Sequence, residues 1–131
     1  MTVPGTRILV LANDTKIHEA FDALLGGYGI AALSADRLGD AQQISATSQV
    51  DAVVLQAGFS GSFPGLHFVK WLRSRAQYRK TPVAVMIKEG ELQDHEVAAA
   101  EGMGARVFRY PAELAAILEH LANIIEERLA A

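Results

Sequence analysis

The chain has no cysteine. That excludes disulfides, thiolate metal sites and cysteine nucleophiles, and it fits a reducing compartment. No apolar run approaches the ~20 residues that a bilayer-spanning helix needs. The opening Met-Thr-Val-Pro-Gly-Thr-Arg lacks the charged and apolar regions of a secretory leader, so a cytoplasmic, membrane-free protein is expected. No linker, repeat or low-complexity stretch interrupts the chain. The serines lie in no Gly-x-Ser-x-Gly elbow, and no glycine-rich loop has the lysine and spacing of a P-loop. His18, His67, His95 and His120 form no i, i+3 or i+4 pair, so no local helical metal pair and no cofactor are expected. A net charge of −3 gives no electrostatic footing for nucleic acid.

What is there suits one domain. The 131 residues are half hydrophobic and 21% charged, enough apolar surface for a core and too much for disorder. Five short apolar runs punctuate the sequence: Ile8-Leu9-Val10-Leu11, Ile30-Ala31-Ala32-Leu33, Ala52-Val53-Val54-Leu55, Val83-Ala84-Val85-Met86-Ile87 and Arg106-Val107-Phe108. Continuous, branched runs of this length predict strands buried on both faces. Helical spacing falls between them. Ile17, Ala20, Phe21, Leu24 and Leu25 form one stripe, closed by Gly26, Gly27 and Gly29. Further helices are predicted around residues 39–47 (Ala41 and Ile44 inward), at Leu66, Val69, Leu72 and Ala76, over 92–100, and for about 20 residues from Pro111. Alternating strands and helices predict an α/β three-layer sandwich about a parallel sheet, flavodoxin-like, with strand order 2-1-3-4-5. In such sheets ligands sit at the carboxyl ends of the strands, here Ala12-Asn13-Asp14, Gln56-Ala57-Gly58, Lys88-Glu89-Gly90 and Arg109-Tyr110-Pro111.

Over nearly its whole length this order resembles the receiver domain of bacterial response regulators. Residues 7–11 look like that family's first strand, residues 50–56 its third and residues 81–87 its fourth. The functional positions differ. Where the family carries a magnesium-holding acidic pair, this chain has Ala12 and Asn13, followed by Asp14. The phosphoacceptor aspartate falls on Gln56, whose amide is neutral and cannot form an acyl phosphate as a carboxylate does. The hydroxyl residue ending the fourth strand is replaced by Ile87. The lysine falls on Arg109 if Gly102 anchors the alignment, or on Tyr110 after a one-residue shift. The resemblance therefore implies a non-enzymatic domain with a degenerate pocket of Ala12, Asn13, Asp14, Gln56, Ile87 and Arg109 and no resident metal. It implies a phosphorylation-independent protein–protein interaction module in bacterial two-component signalling, acting through another signalling protein or output domain. In receivers the fourth helix, fifth strand and fifth helix commonly form the signalling and dimer surface. Here that gives a pool of Leu92, Val97, Arg106, Phe108, Tyr110, Ile117 and Leu121, some of which must be core, with a homodimer expected slightly ahead of a monomer.

Other residues have local readings. Asp14 suits an N-cap for a helix starting at Thr15. Phe68 and Trp71, three apart, both suit a core, while an exposed Trp71 would mark an interface instead. Arg73, Arg75, Arg79 and Lys80 read as a solvated helix end, where cations interact favourably with the dipole. Residues 58–65 suit a recognition loop. The alternative function is a flavodoxin-like small-ligand sensor, for a nucleotide or an anion, using Asn13, Gln56, Lys88 and Arg109.

Overall fold

A computed structural model describes residues 6–57, 64–88 and 93–130, with backbone alone at 64–66, 124–125 and 127–130. The chain order is β1 (Arg7–Leu11), α1 (Thr15–Gly26), β2 (Ala31–Ala35), α2 (Leu38–Thr47), β3 (Ala52–Gln56), α3 (Pro64–Ser74), β4 (Val83–Ile87), α4 (Asp94–Gly102), β5 (Ala105–Arg109) and α5 (Leu114–Ala130). The strands form one sheet in the order β2-β1-β3-β4-β5, every pairing parallel. This is the expected flavodoxin-like α/β architecture.

The continuous apolar runs are explained by cores on both faces of the sheet. Side chains alternate along a strand. Ile8, Val10, Val54, Ala84, Met86 and Phe108 share one core with Ile17 and Phe21 of α1 and Ile117 and Leu121 of α5. Leu9, Leu11, Val53, Leu55, Val83 and Val85 share the other with Ala41 of α2, Phe68, Val69 and Leu72 of α3, and Ala100 of α4. The two-residue period thus sorts each run between two layers.

Several boundaries moved from their expected places. Asp14 is the N-cap of α1, its Oδ1 accepting from the Lys16 N–H at 2.9 Å, as expected. Of the three glycines, Gly29 alone needs glycine's freedom, at φ 71°. Ile30 is buried before β2, and the strand runs on to Ala35. α4 starts at Asp94 rather than 92, where the Glu96 Oε1 accepts from the Gln93 N–H at 3.1 Å. Leu92 lies outside the described residues, as do residues 58–63 of the expected recognition loop. α5 is 17 residues long and begins at Leu114, because a turn intervenes after Pro111. The Tyr110–Pro111 bond is cis.

The largest departure follows α3. The helix ends at Ser74, and Ala76, expected on its inner stripe, is exposed in a one-turn 3-10 helix, Ala76–Tyr78. Tyr78 is 0% exposed, its hydroxyl lying 2.6 Å from the Ser45 carbonyl and 2.9 Å from that of Ser48. Arg73 is not a solvated end. Its Nε donates to the Met103 carbonyl at 2.7 Å and its Nη1 to the carbonyls of Tyr78 and Thr81, each at 2.8 Å. Burial pushes its guanidinium pKa down. The planar fork suits three carbonyls at once. Gly104 lies against it at φ 82°, where a Cβ would sit 3.4 Å from Arg73 Nη2.

Candidate functional site

Parallel packing brings the carboxyl ends of β1, β3, β4 and β5 to one edge of the sandwich. A cleft of about 150 Å³ opens there, lined by Asp14, Ile17, Gln56, Met86, Ile87, Lys88, Tyr110 and Pro111. Gln56 is the last residue of β3 and half-buried. Its Oε1 accepts from the Asn13 N–H at 3.1 Å. A backbone N–H only donates, so this bond fixes the amide oxygen toward the β1–α1 loop and turns the Nε2 group away from it.

Three of the six expected pocket residues, Asp14, Gln56 and Ile87, line the cleft. Ala12 is fully buried, its N–H donating to the Ala35 carbonyl at 3.1 Å. Asn13 meets the cleft through the bond from its backbone to Gln56. Arg109 is a correction: it is exposed and does not line the cleft, and Tyr110 does. The reason is strand parity. Phe108 faces the α1–α5 core, Tyr110 packs against the same core, and Arg109 points to the other side. The Arg109 N–H donates to Glu113 Oε1 at 2.7 Å, and the Tyr110 N–H to the Ile87 carbonyl at 2.9 Å, which holds this loop against β4. Lys88 lines the cleft as the sensor reading required, but Arg109 does not join it.

Among the described residues the donor set does not suit magnesium. That ion wants near-octahedral oxygen ligands with carboxylates among them. Among the described residues the cleft offers one carboxylate, Asp14, with Oδ1 already accepting as a helix cap, and one amide oxygen already accepting from the Asn13 N–H. Among the described residues no three His, Cys, Asp or Glu side chains are grouped to hold a metal.

Two features went unread in the sequence. His18 Nε2 lies 2.7 Å from the Ala12 carbonyl, so that nitrogen carries the proton and ties α1 to the end of β1. Its Nδ1 is buried with no partner among the described residues. His120 packs on Phe108 with ring centroids 5.6 Å apart, and the Arg106 guanidinium lies 5.4 Å from the same ring. Burial, then the nearby Arg106 charge, pushes the His120 pKa below its usual value.

The expected interaction surface is only partly a surface. Phe108 is 5% exposed, Ile117 0% and Leu121 2%, because they lie on the inner faces of β5 and α5. They are core residues. Val97 and Tyr110 are half-buried and Arg106 is exposed. Trp71, expected in the core, is also half-buried, stacking on the buried Phe68 at 5.8 Å. Among the described residues no helix is long and apolar enough to cross a membrane.

Five parallel strands in this order, flanked by five helices, make a flavodoxin-like fold, and the solved structures that the chain matches include CheY-like response regulator receivers. It superposes on the chemotaxis response regulator CheY4 of Vibrio cholerae with a TM-score of 0.78 at 18% identity, over 91% of this chain and 98% of that one. A two-component response regulator from Clostridium difficile gives 0.78 at 20% identity, over 96% and 99%. The non-phosphorylated HemR receiver domain from Leptospira biflexa gives 0.77 at 18%, over 92% and 94%. No protein-family model and no curated protein sequence matches the chain. Identities this low carry the fold, and function has to be argued from the site.

Proposed function

We propose that this chain is an atypical receiver domain, a non-enzymatic module that presents an interaction surface without phosphorylation. Gln56 carries this reading. The amide stands at the end of β3, with its oxygen bonded to the Asn13 N–H. In the receiver resemblance that is the place of the phosphoacceptor. An amide has no anionic oxygen to attack phosphorus. Its neighbours fit the same account. Ala12 brings a buried methyl and Ile87 a hydrocarbon side chain, where the resemblance calls for an acid and a hydroxyl.

The electrostatics are self-consistent. Two carboxylates ~5 Å apart repel by about 3 kcal/mol at an effective dielectric of 20, and a pocket crowded with acids needs a cation to offset that. A cleft whose described lining holds one carboxylate has no such requirement. The domain is then held in a single state and acts through a signalling protein or output domain, or through a second copy of itself. Of the expected contacts on the α4–β5–α5 side, Val97, Arg106 and Tyr110 are the ones that the described residues leave at least partly accessible.

Small-ligand sensing is the weaker reading: for an anion, Lys88 lines the cleft without the second cation, Arg109, and for a nucleotide the space is small. Small-molecule sites run to roughly 300–1,000 Å³, and the cleft that the described residues line holds about 150 Å³. The test of the proposal is incubation with acetyl phosphate and magnesium, followed by intact-mass measurement. The mass is expected to stay unchanged. A gain of one phosphoryl group would overturn the proposal.

A further inference from the structure

Residues 52–88 contain six of the chain's twelve Lys and Arg and none of its fifteen Asp and Glu. The remainder carries six cations against fifteen acids, so the net charge of −3 conceals an acidic body with one basic sector. Five of the six cations fall between residues 70 and 80, on α3 and the turn after it. Arg73 is drawn inside to hold three carbonyls. Lys70, Arg75, Arg79 and Lys80 stay exposed, and none has a carboxylate partner among the described residues.

The support beneath these charges is fixed. The turn between Arg75 and Arg79 is anchored by the buried Tyr78, whose hydroxyl reaches the Ser45 and Ser48 carbonyls. Arg73 clamps the same turn at Tyr78 and Thr81. The Arg75 guanidinium lies 4.6 Å from the Trp71 ring centroid, and Trp71 stacks on Phe68. A short polar turn usually pays an ordering cost when it binds; here folding has already ordered it. Tryptophan and arginine are also the residue types that dominate interface energies.

We propose that this surface, Trp71 with Arg75, Arg79 and Lys80, docks an acidic segment of a partner protein. The inference rests on the reading of the domain as an interaction module and names the chemistry of one partner. The chain's charge distribution favours a short segment over an extended polyanion. α3 is only about 16 Å long at 1.5 Å per residue. The adjacent helix α4 carries Asp94, Glu96 and Glu101. A DNA strand or lipid surface reaching past the patch meets that acidic body, whereas a short segment does not. Charges are screened over ~10 Å at 0.1 M salt, so the local patch decides.

Trp71 is the chain's one tryptophan, which makes its emission a reporter of this surface. The intact chain is titrated with a synthetic dodecapeptide of Glu, Asp and Phe at low salt. The expected result is a saturable change in Trp71 emission whose affinity falls with added salt. Arg79→Gln with Lys80→Gln should weaken it about fivefold, the yield of two exposed ion pairs. Arg37→Gln, on an exposed cation at the start of α2, should leave it unchanged. No saturable response, or an equal loss in Arg37→Gln, overturns the proposal. So does a stronger response to single-stranded DNA or to phosphatidylserine vesicles. Phosphate uptake plays no part in this titration, so a failure here is distinct from a failure of the phosphorylation test.

Discussion

Replacing Arg73 with methionine keeps much of the aliphatic stem and removes the guanidinium. Three carbonyls lose their donor: Met103 at 2.7 Å, and Tyr78 and Thr81 at 2.8 Å. A hydrogen bond from a charged donor contributes about 1.5–3 kcal/mol at best, and a typical one about 1. Arg73 is half-buried, so water can reach part of the vacated site, and its burial already carries a desolvation penalty. Discounting the three bonds for both leaves a loss of about 2–3 kcal/mol. For a domain of this size that is roughly an 8–12 °C drop in Tm. Urea unfolding followed by circular dichroism measures it, with the midpoint shifting and the slope unchanged. Arg73→Lys should recover less than half, since a single ammonium cannot span three carbonyls on two loops. Hydrogen exchange should show the amides of Tyr78 and Thr81 losing protection before the sheet does. A loss below about 0.5 kcal/mol, or full rescue by lysine, would refute the clamp.

Tyr78→Phe removes the one hydroxyl proton that the Ser45 and Ser48 carbonyls share, and chemical denaturation should show a loss of about 1–2 kcal/mol. Ile117→Ala should cost about 2–4 kcal/mol in the same assay, while Val97→Ala, half-buried at the surface, should cost under about 1. Equal effects would contradict the division of that face into core and surface. Asp14→Ala removes the cap of α1 and should cost about 1 kcal/mol by thermal unfolding. Because the folded His120 binds its proton less tightly than the unfolded one, its contribution is present above about pH 6.5 and is lost as pH falls. A series of urea titrations from pH 7.5 to 5 should show that fall. Arg106→Gln should make it shallower, and a profile indifferent to Arg106 would remove the charge from the account.

The fold was legible because both cores leave their mark on the same residues: runs such as Val53, Val54 and Leu55 feed two layers and so cannot alternate with polar residues. Asp14 was legible as a cap because a cap depends on one residue and its two neighbours. The site was harder. Arg109 and Tyr110 differ only in strand parity, which a one-residue shift of alignment reverses; the packing of Phe108 and Tyr110 against the α1–α5 core decides it. Phe108, Ile117 and Leu121 were assigned to a surface by resemblance, although their apolar character fits the α1–α5 core they occupy. Arg73 and Tyr78 were unreadable because their partners are backbone carbonyls, which every residue has and no sequence pattern marks.

The central claim is that this receiver-like fold has a chemically silent pocket around Gln56. Amide NMR spectra of the chain titrated with magnesium and a beryllofluoride phosphoryl mimic test it most directly. The account predicts no saturable shifts at Asn13, Gln56 or Lys88. Saturable shifts at those residues, spreading to Val97 and Arg106, would show a responsive phosphoryl site and contradict it.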